Sequence, residues 1–156
     1  MASATRERMF GGALLVLRLA LGWQLLASGW EKLTSDWSAE MYLKASAGPF
    51  AEWFQSLAGN GLVDALNAWG MFLIGLALIL GLLVRPASIA GAALMVLYYL
   101  AGFVDNTAHG LIDEHVIYAI IFVLFASGGV GHIYGLNSLV LSNIRKQSPL
   151  MRFLFE

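Results

Sequence analysis

The chain has 156 residues, of which 59% are hydrophobic and 12% charged, whereas a soluble domain carries about 25% charge and 45–50% apolar residues. At a mean hydropathy of +0.73, a chain this short cannot hide its apolar surface in water, so an integral membrane protein is expected. Nine basic against ten acidic residues offer nucleic acid no footing, and zero cysteines exclude disulfides, CxxC redox motifs, thiolate zinc, iron–sulfur clusters and c-type haem attachment.

A membrane-crossing helix needs roughly 20 mostly apolar residues, and four stretches approach that length: 9–33, 67–84, 86–104 and 114–134. The first carries Arg18, which interrupts the apolar run and argues against a cleaved leader. Counted from Met9 at 1.5 Å per residue, Arg18 sits about 14 Å deep, near the bilayer midplane. An arginine there costs roughly 2.5–3.5 kcal/mol on insertion scales, so it is expected to face the bundle and a partner. Arg18, Gly22, Leu25, Gly29 and Lys32 fall within about 80° of one another on a helical wheel, and the two glycines let another helix come close. The alternative is a structural arginine paired with backbone carbonyls, beside an incidental Lys32.

After Pro49, the residues Phe50, Trp53, Phe54 and Leu57 recur at helical spacing. This stripe is too short to span and is expected to lie flat at the outer surface. Arg85-Pro86 separates the second span from the third, with Pro86 suited to a first helical position. Asp113 is placed to cap the fourth span, and Gly128, Gly129 and Gly131 loosen its far end. The tail mixes Leu139, Leu141, Ile144 and Phe153 with Arg145, Lys146 and Arg152, a composition suited to resting on an anionic leaflet.

Charge placement gives the direction. Arg6, Arg8, Arg85, Arg145, Lys146 and Arg152 lie on one side. The other side holds Lys32 and Lys44 with Glu31, Asp36, Glu40, Glu52, Asp64, Asp105, Asp113 and Glu114. Both termini are therefore expected to be cytoplasmic. With no repeat, low-complexity tract or linker, residues 1–156 are expected to form one domain: an all-α, integral membrane four-helix bundle with a short extracytoplasmic interfacial helix.

The outer end collects the polar groups. Trp30, Glu31 and Lys32 close the first span, Tyr98 and Tyr99 lie in the third, and Asp105, Asn106 and His109 follow. Asp113, Glu114, His115 and Tyr118 open the fourth. Lys32 as the cation, His115 as proton donor and Tyr99 as hydrogen-bond donor would make a pocket for an anion or a quinone headgroup. His115 and Tyr118 share a helix face. The competing explanation is the aromatic and charged belt of any membrane boundary, which is preferred for Trp30, Trp37, Trp53 and Trp69. The three histidines are too scattered for a ligand cluster, so no metal or haem is expected. No soluble-enzyme motif occurs.

The run Arg18…Gly22…Gly29-Trp30-Glu31-Lys32-Leu33 resembles the DoxX/DoxD membrane-protein family. So do Gly75-Leu76-Ala77-Leu78-Ile79-Leu80-Gly81-Leu82-Leu83-Val84-Arg85, Tyr98-Tyr99-Leu100, and the fourth span from His115-Val116-Ile117-Tyr118 to Gly129-Val130-Gly131 and Gly135-Leu136. The resemblance covers residues 10–137, and Pro49 to Phe54 looks like the extracytoplasmic helix of DoxD members. It implies a four-helix bundle in the bacterial or archaeal cytoplasmic membrane. It also implies a subunit of thiosulfate:quinone oxidoreductase that passes electrons from thiosulfate to quinone beside a small DoxA-like partner. The chain departs from the family pattern at His132, where many members carry arginine, and at Asn137, where they carry aspartate. On this basis Arg18, Glu31, Lys32, Tyr99, His115 and Tyr118 are the expected substrate or quinone residues. A non-catalytic accessory subunit of a larger respiratory or photosynthetic complex is the alternative. A transporter is disfavoured because no pair of broken helices appears in matching halves.

Overall fold

A computed structural model describes residues 2–108, 110–127, 130, 133, 135 and 136. The described chain is helical throughout: α1 Ala2–Thr34, α2 Glu40–Lys44, α3 Ala51–Ser56, α4 Gly61–Leu80, α5 Val84–Ala101, α6 Phe103–Asn106 and α7 Glu114–Ser127. Three of these are long and apolar enough to cross a membrane, over Thr5–Thr34, Gly61–Leu80 and Val84–Ala101, while the described part of the fourth stretch, Glu114–Ser127, is shorter. His109, the glycines Gly128, Gly129 and Gly131, the tail after residue 136, and the departures at His132 and Asn137 all lie outside the described residues.

Each boundary has a local chemical cause. At the end of α1, the hydroxyls of Thr34 and Ser35 donate to the Trp30 and Glu31 carbonyls at 2.9 and 2.8 Å, taking up acceptors that the finished helix leaves orphaned. Asn60 caps α4 by accepting the Leu62 N–H at 3.0 Å. That helix stops at Gly81, which turns into the left-handed region at φ 63° while Leu82 donates back to the Ala77 carbonyl at 3.0 Å. Leu83 follows with φ 53°, an uncommon conformation for a side chain of that size. α5 begins at Val84, which puts Pro86 two positions deeper than the first helical position but still in the first turn, where its missing N–H costs nothing. Asp113 caps α7 as expected, accepting the Val116 N–H at 3.0 Å.

The helices pack as antiparallel pairs, α1 along α4 and α5 along α7, joined by a narrower α4–α5 contact. The α1–α4 seam is backbone against backbone. A Cβ on Gly29 would collide with the backbone of Phe72, and one on Gly75 with the backbone of Leu26 and the Gly22 carbonyl. Dispersion between closely apposed chains replaces the hydrophobic drive that lipid does not supply. The glycine face read from the α1 sequence is thus the face that meets α4. Leu21, Leu25, Met71, Ile74, Leu78, Val84, Met95, Phe122, Phe125 and Val130 form the main core.

What lies outside is as informative. Val16, Trp23, Leu66, Leu73, Ile120 and Val123 are all more than half exposed in mid-helix, while Arg18 and Ser88 are buried. Apolar exteriors around a polar-spotted interior suit hydrocarbon rather than water.

At one end of the bundle α2 and α3 fold over as a roof. Leu43, Phe54 and Ala39 pack on Ala101, the last residue of α5. The Phe50–Leu57 stripe therefore turns its Phe54 into the protein instead of lying wholly on the surface, while Phe50 and Trp53 stay half exposed. Three long-range hydrogen bonds fasten the roof: Ser46 Oγ donates to the Ala101 carbonyl at 2.6 Å, Tyr42 OH to the Tyr98 carbonyl at 3.1 Å, and the Ala39 N–H to Asp64 at 2.9 Å.

Candidate functional site

Beneath the roof lies a cavity of about 610 Å³, within the size range of small-molecule sites. Its wall is apolar, from Trp37, Leu43, Trp53, Phe54, Leu57, Leu66, Met71, Leu94 and Leu97 among others, apart from Lys32, Tyr42, Asn67, Tyr98, Asn106 and His115. α1, α4, α5 and α7 each contribute, so helix packing and not a single loop holds the polar groups in register.

Tyr98 is the central polar residue. Its hydroxyl donates to Asn67 Oδ1 at 2.8 Å and lies 3.4 Å from the Met71 sulfur. Its ring lies 5.7 Å from that of His115 at 55°, and 6.2 Å from the Tyr42 ring in an edge arrangement. Asn106 donates to the carbonyls of Tyr98 and Tyr99 at 3.3 and 3.0 Å, satisfying the last turn of α5.

His115 pairs with Asp113, Nδ1 to Oδ2, at 2.6 Å. A carboxylate on Nδ1 fixes that nitrogen as the proton-bearing one and leaves Nε2 for a ligand or a second proton. Burial by itself pushes the Asp113 carboxyl up, but hydrogen bonds from His115 and the Val116 N–H, with the imidazole's charge, hold it below the ordinary aspartate value. A depressed folded-state value contributes stability at pH values above the unfolded pKa of about 4 and loses it as pH falls through the folded value. The unfolding temperature of the protein in detergent is therefore expected to drop between pH 5 and pH 3, and to drop less in Asp113→Asn. An identical fall in both would detach Asp113 from the acid response. At the roof, Tyr42 is pushed above its ordinary value by burial and then by the negative charges of Asp105 and Asp113, so its hydroxyl stays protonated and keeps donating to the Tyr98 carbonyl.

Lys32 lies at the rim with its Nζ 4.8 Å from the centroid of the Trp37 ring, a distance at which the ring face attracts the ammonium. Trp37 and Trp53, assigned by sequence to the membrane belt, both line the cavity.

The structure brings Lys32 and His115 together and sets the other sequence candidates elsewhere. Glu31 is exposed at the end of α1. Tyr99 turns away and donates to the Leu111 carbonyl at 3.0 Å, so its neighbour Tyr98 takes the inward place. Tyr118 reaches across to Gln24 of α1 at 3.1 Å, tying α7 to α1. Arg18 is 1% exposed and donates to the Val130 carbonyl at 2.8 Å, with its guanidinium against Gly81 at the α4–α5 turn. Fourteen residues of helix separate it from Lys32, about 21 Å at 1.5 Å per residue. Its partner is a backbone carbonyl, and it is not among the residues that line the cavity beside Lys32.

Tyr98 and Asn67 were not among the sequence-selected site residues, and it is the rotation of α5 that singles out Tyr98. Ser88, Gly91, Met95 and Ala101 are buried along α5, and a 3–4 spacing carried through that series lands on Tyr98 rather than Tyr99.

The family model described as DoxX matches residues 13–104, more than half of the chain. The match contains Lys32, Asn67 and Tyr98 and stops before Asn106, Asp113 and His115. No curated protein and no solved structure matches the chain.

Proposed function

This chain belongs to the DoxX family, and on that premise we propose that it is a membrane redox subunit whose roofed cavity holds a quinone headgroup while the quinone is reduced. On this reading α7 belongs to the fourth span, both termini are cytoplasmic, and the roof faces outward across a bacterial or archaeal cytoplasmic membrane. That orientation is supported by the basic residues Arg6, Arg8 and Arg85 at the opposite end.

One observation carries the reading: a largely apolar chamber presents a hydroxyl, an amide and a carboxylate-backed imidazole at one end. A quinone ring needs apolar walls for its faces and hydrogen-bond donors for its two oxygens. His115 supplies a proton that can be replaced, and Asn67, whose Oδ1 accepts from the Tyr98 hydroxyl, is set to donate from its amide nitrogen. Oxidation of two thiosulfates to tetrathionate releases two electrons, and the quinone takes those electrons with two protons to become quinol. With zero cysteines in the chain, the donor side belongs to a partner subunit of the DoxA-like kind, near the positive rim at Lys32.

Replacing His115 with phenylalanine keeps the ring against Tyr98 and removes the proton. A hydrogen bond involving a charged group contributes about 1.5–3 kcal/mol, so quinone affinity in lipid nanodiscs is expected to fall about 10- to 100-fold. Lys32→Met is expected to slow thiosulfate-dependent quinone reduction while leaving quinone binding in place. Unchanged affinity in the first variant and unchanged rate in the second would remove the site.

The lack of a redox group within the chain favours a second reading, a non-catalytic accessory subunit of a larger respiratory or photosynthetic assembly. Purification in mild detergent separates the two: an accessory subunit migrates with a large complex and binds no quinone alone.

A further inference from the structure

The roof is fastened and the flank is not. Above the cavity, Leu43 and Phe54 are buried against Ala101. Ser46, Tyr42 and Ala39 each hydrogen-bond to a residue 25 to 56 positions away in sequence. Opening this side to water would break all three bonds and expose that cluster. On the flank between α4 and α5 the wall consists of Leu66, Leu94 and Leu97. Leu66 is 65% and Leu97 42% exposed, so in a bilayer these two side chains would touch the cavity on one side and hydrocarbon on the other. The polar groups Tyr98, Asn67 and His115 line the same cavity and are less exposed than these two leucines.

We infer that the cavity is entered sideways from the bilayer, between α4 and α5 past Leu66 and Leu97, and therefore takes a lipid-borne ligand with a polar ring and a long apolar tail that stays in the opening. This rests on the quinone reading and narrows it. The tail of the bound quinone lies between the two helices, and a water-soluble anion such as thiosulfate does not share the chamber but delivers its electrons from outside the roof. Parting Leu66 from Leu97 needs only rotamer changes against fluid lipid, whereas lifting the roof unmakes three hydrogen bonds, the buried one from Ser46 to the Ala101 carbonyl among them, and bares the Leu43–Phe54 cluster.

The test uses the full chain in phosphatidylcholine vesicles with two probes, a long-tailed ubiquinone carrying a diazirine at the tail and its tail-less ring analogue. Irradiation of the unaltered protein is expected to label α4 and α5 near Leu66, Leu94 and Leu97. Enlarging the two side chains in Leu66→Phe/Leu97→Phe is expected to slow association of the tailed quinone by about tenfold and leave the ring analogue unaffected. Labels on α2 or α3, or equal slowing of both probes, would overturn sideways entry while leaving a quinone site standing. If neither probe binds the unaltered protein, the quinone reading itself falls and the entry route falls with it.

Discussion

Replacing Gly75 by leucine is expected to prevent formation of the folded protein. A side chain at this position would meet the backbone of Leu26 and the Gly22 carbonyl, not the far end of a flexible side chain, so no rotamer change relieves the collision. Overpacking an ordinary core costs about 1–3 kcal/mol. Here the neighbouring helix as a whole would have to withdraw, forfeiting the α1–α4 contact on which half the bundle depends. The measurable result is loss of the monodisperse peak on size-exclusion chromatography in detergent. Gly70→Ala provides the contrast within the same helix. Nothing lies within 4 Å of its added carbon, and removing a mid-helix glycine is expected to stabilise by up to about 1 kcal/mol. A well-behaved Gly75→Leu protein would show that α1 and α4 do not approach as described.

Truncating Arg18 to alanine is the second large effect. Arg18 heads the fully buried side chains by volume, and emptying such a position costs about 2–5 kcal/mol. The lost bond to the Val130 carbonyl leaves a buried acceptor unpaired, which adds about 1–3 kcal/mol. Arg18→Met keeps the length of the stem and is expected to lose only the second of these contributions, because an apolar side chain of similar volume often replaces a buried ion at little cost. Thermal unfolding of the three proteins should therefore rank wild type, Arg18→Met, Arg18→Ala. Quinone affinity should follow stability rather than fall selectively, since the guanidinium is far from Lys32. A selective loss of binding in a stable Arg18→Met protein would return Arg18 to the functional site.

The contrast between Arg18 and Tyr98 marks where sequence reasoning stops. The apolar runs, the Asp113 cap and the packing face of α1 were legible because each depends on local spacing: lipid exposure, a short side chain before a helix, and glycines seven residues, two helical turns, apart. The partner of Arg18 was not, because the Val130 carbonyl it bonds lies 112 residues away along the chain. Choosing between Tyr98 and Tyr99 needs the rotation of α5 to within 100°, and adjacent tyrosines are chemically alike. The Asp113–His115 pair, two residues apart, could have been read as a turn contact, whereas its meeting with Tyr98 depends on the α5–α7 packing, which spacing along the chain does not encode. The roof is the clearest loss. A short amphipathic stripe reads the same whether its apolar side meets lipid or the end of α5.

The division into two helix pairs has a consequence for anything that occupies the chamber. Lys32, Asn67 and Met71 come from the α1–α4 pair; Leu94, Tyr98 and His115 come from the α5–α7 pair. A guest touching both halves acts as mortar across their thinnest joint, and a hundredfold excess over its dissociation constant adds about 2.7 kcal/mol to their cohesion. Emptying the chamber loosens the two halves from each other before it loosens either half within itself.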